Sequence, residues 1–348
     1  MDEGGIADRI IPMTTTAAQP AVPQPAAASP PTVPHSPDAT GANRADRIYR
    51  GAVTGLALLL PLLLLAQVGE LAVNAWPAMR RFGFGFLWHS TWDPVAEVYG
   101  AGPLIFGTVV SSLLALAIAV PLALGVAVFL TEFAPRRLRQ PVAFLVELLA
   151  AVPSVVYGLW GVFVLIPFLR AVVVPPLKSL LGWTPFFSGP FYGSSMLAGG
   201  IILAVMIVPY IAAVSREVLL AVPESQREAA LGLGATRWEA VWTAVLPYGR
   251  SGIIGAVMLG LGRALGETMA VTMLIGNRHD ISASLLQPAY TIAAAIANEF
   301  SEATTSTYLS ALFEAGLLLF VITVAVNAMA RVLVWRVARG RAVGSRAL

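Results

Sequence analysis

Pro223-Glu224-Ser225-Gln226-Arg227-Glu228-Ala229-Ala230, then Gly232 and Gly234, then Thr236-Arg237-Trp238-Glu239-Ala240-Val241-Trp242 and Leu246-Pro247, open the stretch from Val222 to Val271 on which the reading of this chain turns. The first half is charged and helix-favouring, with glycines that break it into two short helices. The second half, Ser251 to Ile275, is an apolar helix that carries Arg263 and Glu267 near its middle. The two halves want different solvents. The first suits an exposed helix–turn–helix at a membrane surface. The second is long enough to cross a hydrocarbon core of about 30 Å at about 1.5 Å per residue.

Composition extends that conclusion to the whole chain. Of 348 residues, 57% are hydrophobic and 12% charged. Soluble domains carry about 25% charge, so a membrane is the solvent that suits this surface. Six apolar stretches lie near 51–76, 102–130, 142–169, 195–214, 251–275 and 308–332. They predict an all-α integral membrane protein of six transmembrane helices. Pro61, Pro121, Pro153, Pro167 and Pro209 fall inside them; neighbouring helices can satisfy the carbonyls that proline frees. Residues 1–45 are rich in Ala and Pro and read as a disordered cytoplasmic tail, not a signal peptide. Residues 46–100 read as the first transmembrane helix and an external loop, 101–332 as a five-helix core that includes the polar loop 222–250, and 333–348 as a basic cytoplasmic C-terminus.

Basic residues orient the spans. Fifteen (Arg44–Arg50, Arg136–Arg139, Arg216–Arg250 and Arg331 onward) fall on one side, against five on the other: Arg80, Arg81, Arg170, Lys178 and Arg278. The first side is therefore cytoplasmic, with both termini and the Glu-Ala-Ala loop on it. The outer loops hold Trp88, His89, Trp92 and Asp93, then Trp183, Phe186, Phe187 and Tyr192. These aromatics fit an interfacial belt or a docking surface. Residues 280–306 read as a short helix lying at the outer interface.

Several chemistries are excluded. There is no cysteine, hence no disulfide or thiolate site. Lys178 is the only lysine and follows no glycine-rich loop, so ATP cannot be held by a Walker-type loop here. His35, His89 and His279 lack metal-ligand spacing, no cofactor is implied, and the small net charge of +3 gives no argument for nucleic acid. Arg263 and Glu267 are the strongest candidates for function. On a continuous helix from Gly252 they lie about 16 Å and about 22 Å deep. An isolated charge there costs about 2.5–3.5 kcal/mol. Their spacing puts them on one face, paired either to line a pathway or to lock helix packing. Glu147, Glu314 and the hydroxyls of Thr108, Ser111, Ser112 and Ser154 are weaker candidates. Glu147 and Ser154, seven apart, would share a helix face.

The order Glu228-Ala229-Ala230, Gly234, Leu246-Pro247 resembles the cytoplasmic coupling loop of ABC-importer permeases of the MetI-like fold. Ala244 departs from that pattern, where the family usually carries Ile, which weakens one packing contact. Gly262-Arg263-Ala264-Leu265-Gly266-Glu267-Thr268-Met269-Ala270-Val271 and the segment Glu147 to Gly158 are similar to the phosphate-specific permeases, specifically their PstC-type subunits. The resemblance covers roughly 102–331. It implies that Arg263, Glu267 and Glu147 line a translocation pathway, and that Glu228, Ala229, Ala230, Gly234, Leu246 and Pro247 couple it to an ATPase. It further implies a homologous PstA-type permease, a PstB-type ATP-binding subunit dimer, a PstS-type extracytoplasmic phosphate-binding protein, and membrane lipid around the spans of a bacterial plasma membrane. Permeases for molybdate or sulfate, an ion-coupled secondary transporter and a membrane scaffold are the alternatives.

Overall fold

Proline and glycine decide where the helices of this chain begin, bulge and stop. The computed structural model describes residues 39–344, the side chains at both ends of that range excepted. Among the described residues, six helices are long and apolar enough to cross a membrane. The first, α1, runs Ala39–Phe82. It is followed by the one-turn helix Gly85–Trp88 and a hairpin that pairs Trp92–Asp93 (β1) with Val98–Tyr99 (β2). Then come α2 (Gly102–Phe133), the amphipathic α3 (Arg136–Ala150) and α4 (Ser154–Leu181). Next are α5 (Met196–Leu220), α6 (Glu224–Gly232) and α7 (Arg237–Leu265). The short α8 (Met269–Leu274) and α9 (Ile292–Glu299) precede α10 (Ser306–Gly344). Among the described residues, those up to Pro61 form one unit and those from Leu62 a second. In the first, Leu56, Leu58 and Leu60 are exposed, as suits side chains that face lipid.

Several expectations need correction. The tail expected over 1–45 lies outside the described residues up to position 38, and the chain is already helical from Ala39. At the other end, α10 continues helically past 332 to Gly344; side chains beyond Val332 and residues 345–348 lie outside the described set. The third span is Ser154–Leu181, not 142–169. Pro153 is the reason: it sits extended at φ −59°, ψ 141° and starts a new helix, so Glu147 and Ser154 belong to different helices. The fifth span does not reach Ile275. It stops at Leu265, and the chain restarts as α8. Its other end extends back through Trp242 to Arg237, so what read as a second loop helix is the start of the span itself.

Pro61, Pro121 and Pro209 sit in unbroken α-helix, whereas α4 and α7 widen beside their prolines. Single π turns occur at Gly161–Leu165 and Leu169–Val173, flanking Pro167, and at Val241–Val245, just before Pro247. Each relieves the clash between a pyrrolidine ring and the preceding turn.

The core of the second unit centres on α2 and α5. Ala115, Ala119 and Ala123 recur every four residues on α2, are fully buried, and pack with Leu203, Ile207 and Ile211 of α5. Small residues at that spacing let two backbones approach closely. The start of α5 is satisfied from outside: Ser195, Met196 and Leu197 donate backbone N–H to the carbonyls of Leu274, Gln287 and Leu285. The segment before α9 crosses α2 at Gly107, where a Cβ would lie 1.9 Å from the Tyr290 carbonyl oxygen. Thr108 fixes the crossing, since its Oγ1 accepts from the Ile292 N–H at 2.9 Å. Ser111 and Ser112 are buried beside it. The α9 helix packs into the protein core: Ile292, Ala294 and Ala295 are buried against Leu104 and Ala311.

Candidate functional site

The Arg263–Glu267 pair sits where α7 stops. Gly266 caps α7, and the Glu267 N–H reaches the Ala264 carbonyl at 3.4 Å, a tightened last turn. The turn keeps the two side chains in register across the break: Arg263 Nη1 lies 2.9 Å from Glu267 Oε2. Glu267 is buried and its Oε1 accepts from the Ala270 N–H at 3.3 Å. One carboxylate therefore neutralises a half-buried cation and caps the restarting α8. The Arg263 side chain keeps 37% of its surface exposed, and its guanidinium carbon stands 5.9 Å over the Tyr210 ring.

Arg263 opens into a cavity of about 580 Å³ lined by Tyr210, Gly255, Gly262, Asn327 and Arg331, among others. Sequence reasoning missed Tyr210, Asn327 and Arg331. Tyr210 is held by its hydroxyl, which donates to the Ala150 carbonyl at 2.8 Å; Tyr157 likewise donates to Leu149 at 2.7 Å. The two phenols cap the end of α3, where Pro153 interrupts the α-helical ladder. The structure does not bring Glu147 to this cavity. It is exposed on α3 and lines a separate small pocket with Arg216, Ala212 and Ala213. Glu314 is also elsewhere, buried on α10 beside Phe86 and Leu317.

The Glu-Ala-Ala segment is an exposed ledge with a fixed base. Glu228, Ala229 and Gly234 are exposed, while Leu246 and Pro247 are half-buried at the root of α7. Gly234 has φ +89°, and Ala235 N–H donates to Ala230 and Gly234 N–H to Leu231, the glycine-closed end of a helix. Thr236 and Glu239 then form a reciprocal capping box that starts α7. Arg227 locks the ledge to the membrane helices. Its Nε and Nη2 each lie 3.1 Å from Glu132 Oε1 on α2; its Nη1 donates to Val222 at 2.6 Å and its Nη2 to Leu219 at 2.8 Å. No local sequence signal pointed to Glu132, which is 95 positions away.

Residues 119–339 match the family described as binding-protein-dependent transport system inner membrane component. The chain is 47% identical over 296 residues to the phosphate transport system permease protein PstC of Pasteurella multocida, covering 84% of this chain and 92% of that one. The PstC protein of Mesorhizobium japonicum is 48% identical over 313 residues, covering 88% and 96%. This chain belongs to the PstC family of phosphate transport permeases. As a PstC-family chain it is a multi-pass inner-membrane component. A solved bacterial alginate ABC transporter, in complex with an alginate-bound periplasmic protein, matches with a TM-score of 0.54 at 17% identity, covering 82% of this chain and 94% of that chain. That likeness speaks to the fold alone.

At the far end of this PstC-family chain, the loop aromatics divide. Trp88 and Trp183 are exposed, but Trp92 is buried, a core residue and not part of a belt or docking face. Its Nε1 donates to Glu299 Oε2 at 2.8 Å, and Tyr308 donates to the same oxygen at 2.7 Å. His279 stacks on Trp92 at 5.5 Å, with its Nε2 3.3 Å from Glu299 Oε1. Burial pushes the Glu299 carboxyl up, but His279, Tyr308 and Trp92 outweigh it and hold the group below its ordinary value of 4.5. Burial raises the Tyr290 phenol above its usual range. A depressed carboxyl stabilises the fold above its unfolded pKa and loses that contribution as pH falls through the folded one. Acidification from pH 7 to pH 4 is therefore expected to lower the melting temperature more steeply in the parent than in Glu299→Gln, read by tryptophan fluorescence; equal slopes would refute the assignment. Among the described residues, no group of three His, Asp or Glu side chains is placed to hold a metal.

Proposed function

We propose that this chain forms half of the translocation pathway of an ATP-driven phosphate importer and passes motion from a separate ATPase to a charged site inside the membrane. One observation carries the reading. A single helix of 29 residues, α7, meets the exposed Glu-Ala-Ala ledge at its root and holds Arg263 near its tip. A rod of that length spans about 43 Å and transmits displacement at its base to the paired charges. Glu228, Ala229, Ala230 and Gly234 serve as the contact surface for the motor, and Leu246 and Pro247 as its root. Arg263 attracts the anion and Glu267 tempers the attraction. Glu147 is exposed beside Arg216, away from the cavity, so its part in a pathway would require the complete assembly.

The partners in this reading are a PstA-type permease, a PstB-type ATPase dimer and a PstS-type phosphate-binding protein, with both termini cytoplasmic. A motor is needed on energetic grounds: moving an anion inward against a negative interior costs about 2.3 kcal/mol per charge per 100 mV. Selectivity falls mainly to the binding protein, because a pathway must release what it conducts. The test is purification with associated subunits, then ATPase measurement with binding protein loaded with phosphate, sulfate or molybdate. Stimulation by phosphate alone is expected; stimulation by another oxyanion, or uptake in vesicles without ATP, would overturn the reading.

The ledge gives a sharper prediction. A side chain at Gly234 would be strained by about 1 kcal/mol at its left-handed φ and would open the helix end. Gly234→Val is expected to leave the complex assembled while the phosphate moved per ATP falls severalfold. An unchanged ratio would remove the ledge from the coupling path.

A further inference from the structure

The cavity beneath Arg263 holds a second cation for which the sequence reading found no role in transport. Arg331 lies on α10, one turn beyond Asn327, and both line the cavity. The two arginines differ in their electrostatics. Arg263 is matched by Glu267 at 2.9 Å. Arg331 is exposed and makes no ion pair among the described residues. The uncompensated positive charge among the lining residues is therefore that of Arg331. Two glycines of α7 face the same space: a Cβ at Gly255 or Gly262 would meet nothing within 4 Å. Gly255 and Arg263 are eight residues apart on α7, so the cavity extends about 12 Å along the helix. A cavity of that length has room for more than one oxyanion position along α7.

We propose that Arg331 is a second anion station on the translocation route, which receives phosphate from Arg263 at the inward-facing end of the cavity. This rests on the phosphate-import reading above. Conduction needs sites weak enough to leave and close enough to hand over, and two guanidiniums, one damped by a carboxylate and one with no ion pair among the described residues, provide that sequence. A guanidinium fork suits a phosphate's oxygens in two-point contact, where an ammonium offers a single point charge. Asn327 donates its amide to the Thr323 carbonyl at 2.9 Å, which keeps it on the α10 face that carries Arg331.

The test uses the assembled importer. Arg331→Gln is expected to lower the maximal phosphate uptake rate by about tenfold or more, with complex yield and ATP turnover near the parent's, and Arg331→Lys to recover part of it. The chain has no cysteine, so Asn327→Cys introduces a single thiol into the cavity wall one turn from Arg331, which this variant keeps. Inorganic phosphate is expected to slow modification of that thiol by a methanethiosulfonate reagent severalfold relative to chloride. Normal uptake by Arg331→Gln, or labelling indifferent to every oxyanion, would overturn the station and leave the phosphate reading intact. Protection by sulfate or molybdate but not by phosphate would keep the station and overturn the phosphate reading. Loss of the complex in both Arg331→Gln and Arg331→Lys would make the residue a packing element and overturn the proposal.

Discussion

Arg263→Gln is expected to reduce phosphate uptake to background while the importer still assembles. The substitution keeps a polar side chain of similar reach but removes the charge. Glu267, buried and still bonded to the Ala270 N–H, is then left without its cation. An uncompensated buried charge costs about 3–5 kcal/mol. Two effects are therefore mixed in the single variant, lost attraction for the anion and lost stability. Arg263→Gln combined with Glu267→Gln separates them. The double variant carries no stranded charge, so assembly and melting temperature are expected to return toward the parent while uptake stays at background. Initial-rate uptake of radiolabelled phosphate and yield of the purified complex provide the two readouts. If the double variant transports, the pair serves packing and the pathway lies elsewhere.

Much of this fold is legible in the residues because lipid imposes a coarse rule. A span needs about twenty apolar residues, and six stretches satisfy it at once. Helix ends obey finer rules that hydropathy averages away. The run 142–169 is apolar on both sides of Pro153, so nothing in its hydropathy separates α3 from α4. What separates them is one extended ψ at Pro153 and two phenols, Tyr157 and Tyr210, which donate to the last carbonyls of α3. Likewise α7 can end at Gly266 because Glu267 caps α8. The charged residue thought to ride inside a continuous helix is itself the reason the helix can break. The spacing argument for Arg263 and Glu267 still placed them together, because a tightened turn preserves their shared face.

The site was harder to read than the fold because a side chain's destination is a tertiary fact. Glu147 and Glu267 are both acidic residues in apolar stretches of the sequence. The i,i+4 spacing places Glu267 beside Arg263, but only packing reveals that Glu147 lies near Arg216. Arg227 stands beside Glu228 in the polar loop, yet its partners are a carboxylate on α2 and two carbonyls at the end of α5. It is the joint through which the exposed ledge is fastened to the spans.

That fastening carries the second large prediction. Arg227→Ala is expected to uncouple the importer: ATP hydrolysis continues, loses its dependence on loaded binding protein, and phosphate uptake falls to a small fraction of the parent's. The substitution removes both contacts to Glu132, whose side chain is 15% exposed, and both carbonyl contacts at the end of α5. Each partly buried group left without a partner costs about 1–3 kcal/mol. That is enough to let α6 swing free of α2 and α5 without unfolding spans that are held by their own alanine and leucine packing. Arg227→Lys is expected to fall between, since an ammonium can meet Glu132 but cannot also span the two carbonyls. Glu132→Gln should be milder than either, because the carbonyl contacts persist. A double-mutant cycle between positions 132 and 227, scored as phosphate moved per ATP, measures the joint directly. Additive losses would mean that the two side chains act separately, and motion would then have to reach Arg263 through Leu246, Pro247 and α7 alone.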